Sequence, residues 1–134
     1  MGYREAIEAT GVKVIAYEEF GSYQGDWLAK IEVDGEIKFI RDYFGSCGGC
    51  DSFEHDFGYI SHECQGDVFY DPIGNGEFRE RCETCQDIKK RFVEFGQMYV
   101  DQAMSFDDCM KLVSENIDWD MDAKGMVDWL NANK

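Results

Sequence analysis

Apolar and polar residues alternate along the first third of the chain. Val12, Val14 and Ala16, followed by Phe20, take every second position on one side. From Trp27 to Val33, Leu28 and Lys30 lie opposite Trp27, Ala29, Ile31 and Val33. Ile37, Phe39 and the run Arg41 to Phe44 give a third segment of the same kind. A period of two is the spacing at which a strand buries one face. Residues 12–44 are therefore expected to form a three-stranded antiparallel meander. Asp34-Gly35 is a two-residue hairpin signal, and Gly21 to Asp26 is a longer loop with two glycines.

The period changes to helical on either side. Tyr3 to Thr10 can make a short helix that stops at Gly11. Phe78, Cys82, Cys85, Ile88, Phe92, Phe95 and Tyr99 recur at intervals of three and four, the stripe of an amphipathic helix of about 20 residues. Ser105 followed by Asp108 marks another helix start, with Phe106, Cys109, Met110, Leu112 and Val113 as its buried face. Asp122 opens a last helix carrying Met126, Val127, Trp129 and Leu130. The fold class expected is α+β, a meander packed against three or more C-terminal helices. Residues 45–77 are irregular and Gly-rich. Asp51 to Phe57 can make one or two helical turns stopped at Gly58, Val68-Phe69-Tyr70 a short fourth strand, and Asp71 to Gly76 a turn.

A length of 134 residues implies a single domain, 1–134. No apolar run approaches the roughly 18–20 residues of a membrane span. Residues 1–8 lack a basic and then apolar export segment, so the expected compartment is the cytoplasm.

The net charge of −15 argues against direct nucleic-acid binding, which depends on Lys and Arg displacing counterions. It suits a basic surface on another protein, although the same charge also serves solubility alone. Its distribution is uneven, for no Lys or Arg occurs between Asp42 and Phe78, against eight acids. Asp42, Asp51, Glu54, Asp56, Glu63 and Asp67 are the candidates for an acidic partner-binding face. Asp118, Trp119, Asp120 and Asp122 form a second group, in which Trp119 is either an interface anchor or a core residue. Arg79, Arg81, Lys89, Lys90 and Arg91 spread around their helix and are expected to pair with neighbouring acids.

Four cysteines fall in two pairs, Cys47-Gly48-Gly49-Cys50 and Cys82-Glu83-Thr84-Cys85. Two such pairs in an intracellular domain point to structural zinc, a tetrahedral ion held by four thiolates. The first pair lies in a glycine loop and the second at a helix start, where the dipole favours thiolate anions. That layout is like a treble-clef zinc site. His55, His62 and Cys64 lie between the pairs and could replace a ligand. The alternatives are buried free thiols, since Cys82 and Cys85 lie on the apolar stripe, and a disulfide or redox pair. No phosphate loop, nucleophile elbow, dinucleotide fingerprint or zinc-deaminase pattern is present.

The stretch Gly21-Ser22-Tyr23-Gln24-Gly25-Asp26-Trp27, together with Asp42-Tyr43-Phe44-Gly45-Ser46-Cys47-Gly48-Gly49-Cys50-Asp51, resembles small acidic proteins encoded by bacteriophages and mobile elements. The resemblance covers residues 17–57 and implies a bacterial host cytoplasm. By class and composition it extends to inhibitors of host defence, including anti-CRISPR proteins, and it brings no catalytic residue. The function expected is a small binding protein that presents an acidic face to the basic groove of a host protein directed at nucleic acid. The rivals are a zinc- or thiol-dependent enzyme working through Cys47 and Cys50, and a structural or regulatory phage component.

Overall fold

The computed structural model describes residues 2–46, 51–115, 117–118 and 121–134. The expected meander is there, as strands β1 (Lys13–Gly21), β2 (Gly25–Val33) and β3 (Glu36–Phe44), antiparallel in that order. Trp27 pairs with Asp42 and Ala29 with Ile40 across β2 and β3. Asp34 and Gly35 both take positive φ, 52° and 81°, which matches the right-handed twist of the flanking strands. A register shift between Val14 and Ala16 turns Ile15 outward.

Both faces of this sheet are covered. Trp27, Ala29 and Ile31 share one apolar cluster with Tyr3, Ala6 and Ile7 of α1 (Tyr3–Ala9). The same cluster takes Phe53 and Phe57 of α2 (Ser52–Phe57) and Phe92, Phe95 and Tyr99 of α3 (Glu83–Asp101). On the other face Leu28 and Phe39 pack with Cys109 and Val113 of α4 (Phe106–Ser114) and with Met126 and Leu130 of α5 (Ala123–Ala132). The result is an α+β arrangement with helices on both sides of the meander.

Local chemistry sets most of the boundaries. The Asp51 and Ser105 side chains accept the Glu54 and Asp108 amides, capping α2 and α4. Two expectations are corrected. The long helix starts at Glu83, leaving Phe78 outside it, because Cys82 is extended and caps the helix with its own sulfur. Leu112 is exposed, since it lies about 100° around α4 from Val113. Val68-Phe69-Tyr70 forms the expected short strand. It belongs to β5 (Asp67–Tyr70), which pairs with β4 (His62–Cys64) in a separate hairpin. No helix of the described residues is long and apolar enough to cross a membrane.

One close contact fixes α3 against α1, and another ties β2 to β3 within the sheet. Gly96 of α3 lies against the backbone of α1, and a Cβ there would come 2.0 Å from the Ala6 carbonyl oxygen. Arg41 donates to Asp26 at 2.7 Å, with both side chains largely buried. Helix propensity alone would make Gly96→Ala stabilising by about 1 kcal/mol. The backbone clash is larger, so urea unfolding of Gly96→Ala is expected to show a net loss of about 1–3 kcal/mol. Asp26→Ala leaves the buried guanidinium without its counter-charge and is expected to cost about 3–5 kcal/mol in the same measurement.

Candidate metal centre

The β4–β5 hairpin turns tightly through Gln65 and Gly66, with φ of 50° and 97°. His62 and Cys64 are two apart on β4, so their side chains project to the same side. Opposite them is the start of α3. Cys82 is its N-cap residue, and Cys85 lies one turn on, fully buried. The four ligand atoms, His62 Nε2 and the sulfurs of Cys64, Cys82 and Cys85, all lie within 4.8 Å of one another. Nε2 is 3.4 Å from both Cys82 Sγ and Cys85 Sγ, and Cys64 Sγ is 3.8 Å from Cys85 Sγ. This cluster can hold a metal ion.

The local field favours anionic sulfur at the helix end. The Cys85 amide donates to Cys82 Sγ and draws that thiol down to about 6. Burial pushes the Cys85 thiol the other way, up to about 11. The Tyr70 ring stands edge-on to His62, with centroids 6.0 Å apart, and orients the imidazole. His62 Nδ1 is buried and has no hydrogen-bond partner among the described residues.

A clasp of polar contacts holds the hairpin against the helix. Arg79 donates to the Cys64 carbonyl at 3.0 Å and to Asp67 Oδ2 at 2.6 Å, and its guanidinium lies 3.9 Å over the Tyr70 ring. The Tyr70 hydroxyl donates to the Glu77 carbonyl at 2.7 Å.

Cys82 and Cys85, expected as ligands, are therefore in the cluster. Cys47 and Cys50 lie outside the described residues. His62 and Cys64, which the sequence offered only as substitutes, complete the set with Cys82 and Cys85. The turn residues Gln65-Gly66 directly after His62-Glu63-Cys64 were the available signal. His55 is exposed on α2, and Cys109 is a buried thiol of the other layer, raised to about 11 by its burial.

The expected acidic face is divided. Asp51 is 2% exposed, and its carboxylate accepts from the Tyr3 hydroxyl and from the Gly45 and Glu54 amides. Asp42 is half-buried and accepts from the Tyr99 hydroxyl at 2.5 Å. Asp67 is paired with Arg79. Glu54, Asp56, Glu63 and Asp118 are exposed, and Asp122 is half-buried at the start of α5. Trp119 and Asp120 lie outside the described residues. Of the basic cluster, Arg79 forms the ion pair just described, and Arg91 donates to the Asp56 carbonyl.

Metal analysis of native protein separates the two ligand sets. His62→Ala and Cys64→Ser are each expected to remove the bound ion, while Cys47→Ser retains about one per chain. Retention by Cys64→Ser would exclude the hairpin site. No family model matches this chain, and neither a curated protein nor a solved structure does.

Proposed function

We propose that this chain is a zinc-stabilised binding protein, and that its metal centre is structural. The observation that carries this is the spacing of the donor atoms. Zinc at about 2.3 Å from sulfur and about 2.0–2.1 Å from nitrogen sets tetrahedron edges of about 3.8 Å for S–S and about 3.6 Å for S–N. The Cys64–Cys85 S–S distance of 3.8 Å and two S–N distances of 3.4 Å lie close to those edges, and every pair of the four donors lies within 4.8 Å. Three thiolates and an imidazole in a tetrahedron are a soft donor set suited to zinc. Four protein ligands close the coordination shell, whereas catalytic zinc keeps a position for water or substrate.

The hairpin gives the ion something to do. Among the described residues its buried apolar cluster is Cys64 and Tyr70 against Cys85, with Cys82 alongside. A two-stranded hairpin with so little buried surface is marginal in water. Zinc binding would supply the missing stability.

The partner suited to a chain of net charge −15 is a basic protein surface, such as the groove of a protein directed at nucleic acid. The exposed carboxylates of Glu54, Asp56 and Glu63 support that choice.

X-ray absorption of the zinc-loaded protein is expected to show three sulfurs and one nitrogen with no exchangeable oxygen ligand. Chelation is expected to abolish amide protection in residues 62–85. An open coordination position, or an apo-protein with unchanged protection, would overturn the structural assignment. The doubly substituted Asp56→Lys/Glu63→Lys is expected to stop recovering the basic partner from lysate at unchanged Tm. Full recovery would reject the acidic face.

A further inference from the structure

A cleft of about 570 Å³ opens between α1, α2, α3 and the turn after β5. Its floor is apolar, made by Phe53, Phe57, Phe78, Phe92 and Ile73. Three carboxylate residues stand around it, namely Glu5 from α1, Glu54 from α2 and Asp71 from the turn, and among the described residues the lining holds no Lys or Arg. Gly58 and Gly74 keep the rim low. A Cβ at Gly58 would come 2.8 Å from Glu54 Oε2, and one at Gly74 would come 2.7 Å from Asp71 Oδ2.

Aromatic rings below and carboxylates above form the complement of a cation on an apolar stem. Ring faces attract a guanidinium or ammonium group through their quadrupole, and carboxylates add charge-assisted hydrogen bonds. The protein already uses this chemistry on one of the floor rings, where Arg91 Cζ lies 5.5 Å over the Phe57 ring. A purely apolar occupant would strip water from the carboxylates without replacing it. An anion would meet three like charges. The volume is in the range of clefts that hold ligands of several residues' size, leaving room for a side chain and its apolar neighbours.

We propose that this cleft receives an arginine or lysine side chain, flanked by apolar residues, from a partner protein. This rests on the binding-protein reading and gives its basic partner a specific anchor. It does not involve the metal, and it uses acids other than Asp56 and Glu63.

Calorimetric titration of the zinc-loaded full chain with capped tripeptides tests it, with arginine, lysine or citrulline between two leucines. Saturable binding is expected for arginine and lysine, about tenfold weaker for neutral citrulline, and falling with added salt. Glu5→Gln/Glu54→Gln keeps the side-chain shapes, and with unchanged Tm it is expected to weaken the arginine peptide by about tenfold. Chemical-shift changes should centre on the Phe78 ring.

Absence of saturable binding by the arginine and lysine peptides at millimolar concentration would overturn the proposal, as would citrulline binding equally well. Methylguanidinium alone binding as tightly as the peptide would overturn the commitment to a protein segment. Loss of the arginine peptide's binding in Asp56→Lys/Glu63→Lys would move the site away from the cleft. If the cleft binds nothing while that variant still loses the partner, the acidic face survives and only the anchor falls.

Discussion

The Tyr3 side chain joins parts of the chain that are far apart in sequence. Its ring stacks on Trp27 at 5.0 Å and meets Phe53, Phe95 and Tyr99 within 6 Å. Its hydroxyl donates to Asp51 at 2.6 Å, 48 residues away. Asp51 in turn holds the Gly45 amide at the end of β3 and caps α2. One buried polar contact therefore fixes where the meander ends and where α2 begins. An aromatic ring buried with its hydroxyl satisfied supplies both area and direction, which a purely apolar contact at the same place would not.

The two candidate sites follow from that frame. α2 sets Phe53 and Phe57 against Phe92 and Phe95 of α3, and Phe53, Phe57 and Phe92 become part of the floor of the cleft. The same α3, held to α1 at Gly96, carries Cys82 and Cys85 at its other end. The helix is thus positioned by the core along most of its length and is free to offer its first turn to the hairpin. The hairpin is bound to that end by the Arg79 clasp and by the sulfur and imidazole groups, with little apolar surface of its own. Polar and metal-ligating contacts do there what hydrophobic burial does elsewhere.

What was legible in the sequence is what depends on neighbours in sequence. The alternation around Trp27, the Asp34-Gly35 turn and the Ser105 cap each act over a few residues, and each appears as expected. Cys82 misled because a helix cap and a member of an apolar stripe can stand at the same spacing. Only the extended backbone at that residue tells them apart. Asp51 counted as surface charge, although an acid directly before Ser-Phe-Glu has the chemistry of an N-cap. Its burial depended on Tyr3, which no local pattern connects to it. His62 and Cys64 were visible as possible ligands but not as the set. Three residues of strand carry no periodicity, and their approach to α3 is a matter of tertiary packing.

The charge changes meaning once the fold is known. Asp42 and Asp51 accept hydrogen bonds from buried tyrosines, and Asp26 balances Arg41, so these acids belong to the interior. Tyr3 and Tyr99 stay protonated far above neutrality because burial, and then the hydrogen bond to a carboxylate, oppose the phenolate. Those contacts use the carboxyl groups as acceptors, and they give internal acids a structural reason unrelated to solubility. Glu5, Glu54 and Asp71 come from three separate elements and meet only because α1, α2 and the turn after β5 converge on the same rings. The Ile73 and Gly74 amides already hold one oxygen of Asp71, and an arriving cation would add the counter-charge that the lining lacks among the described residues. That convergence of three acidic residues on aromatic rings is what would make a cationic anchor specific for the cleft.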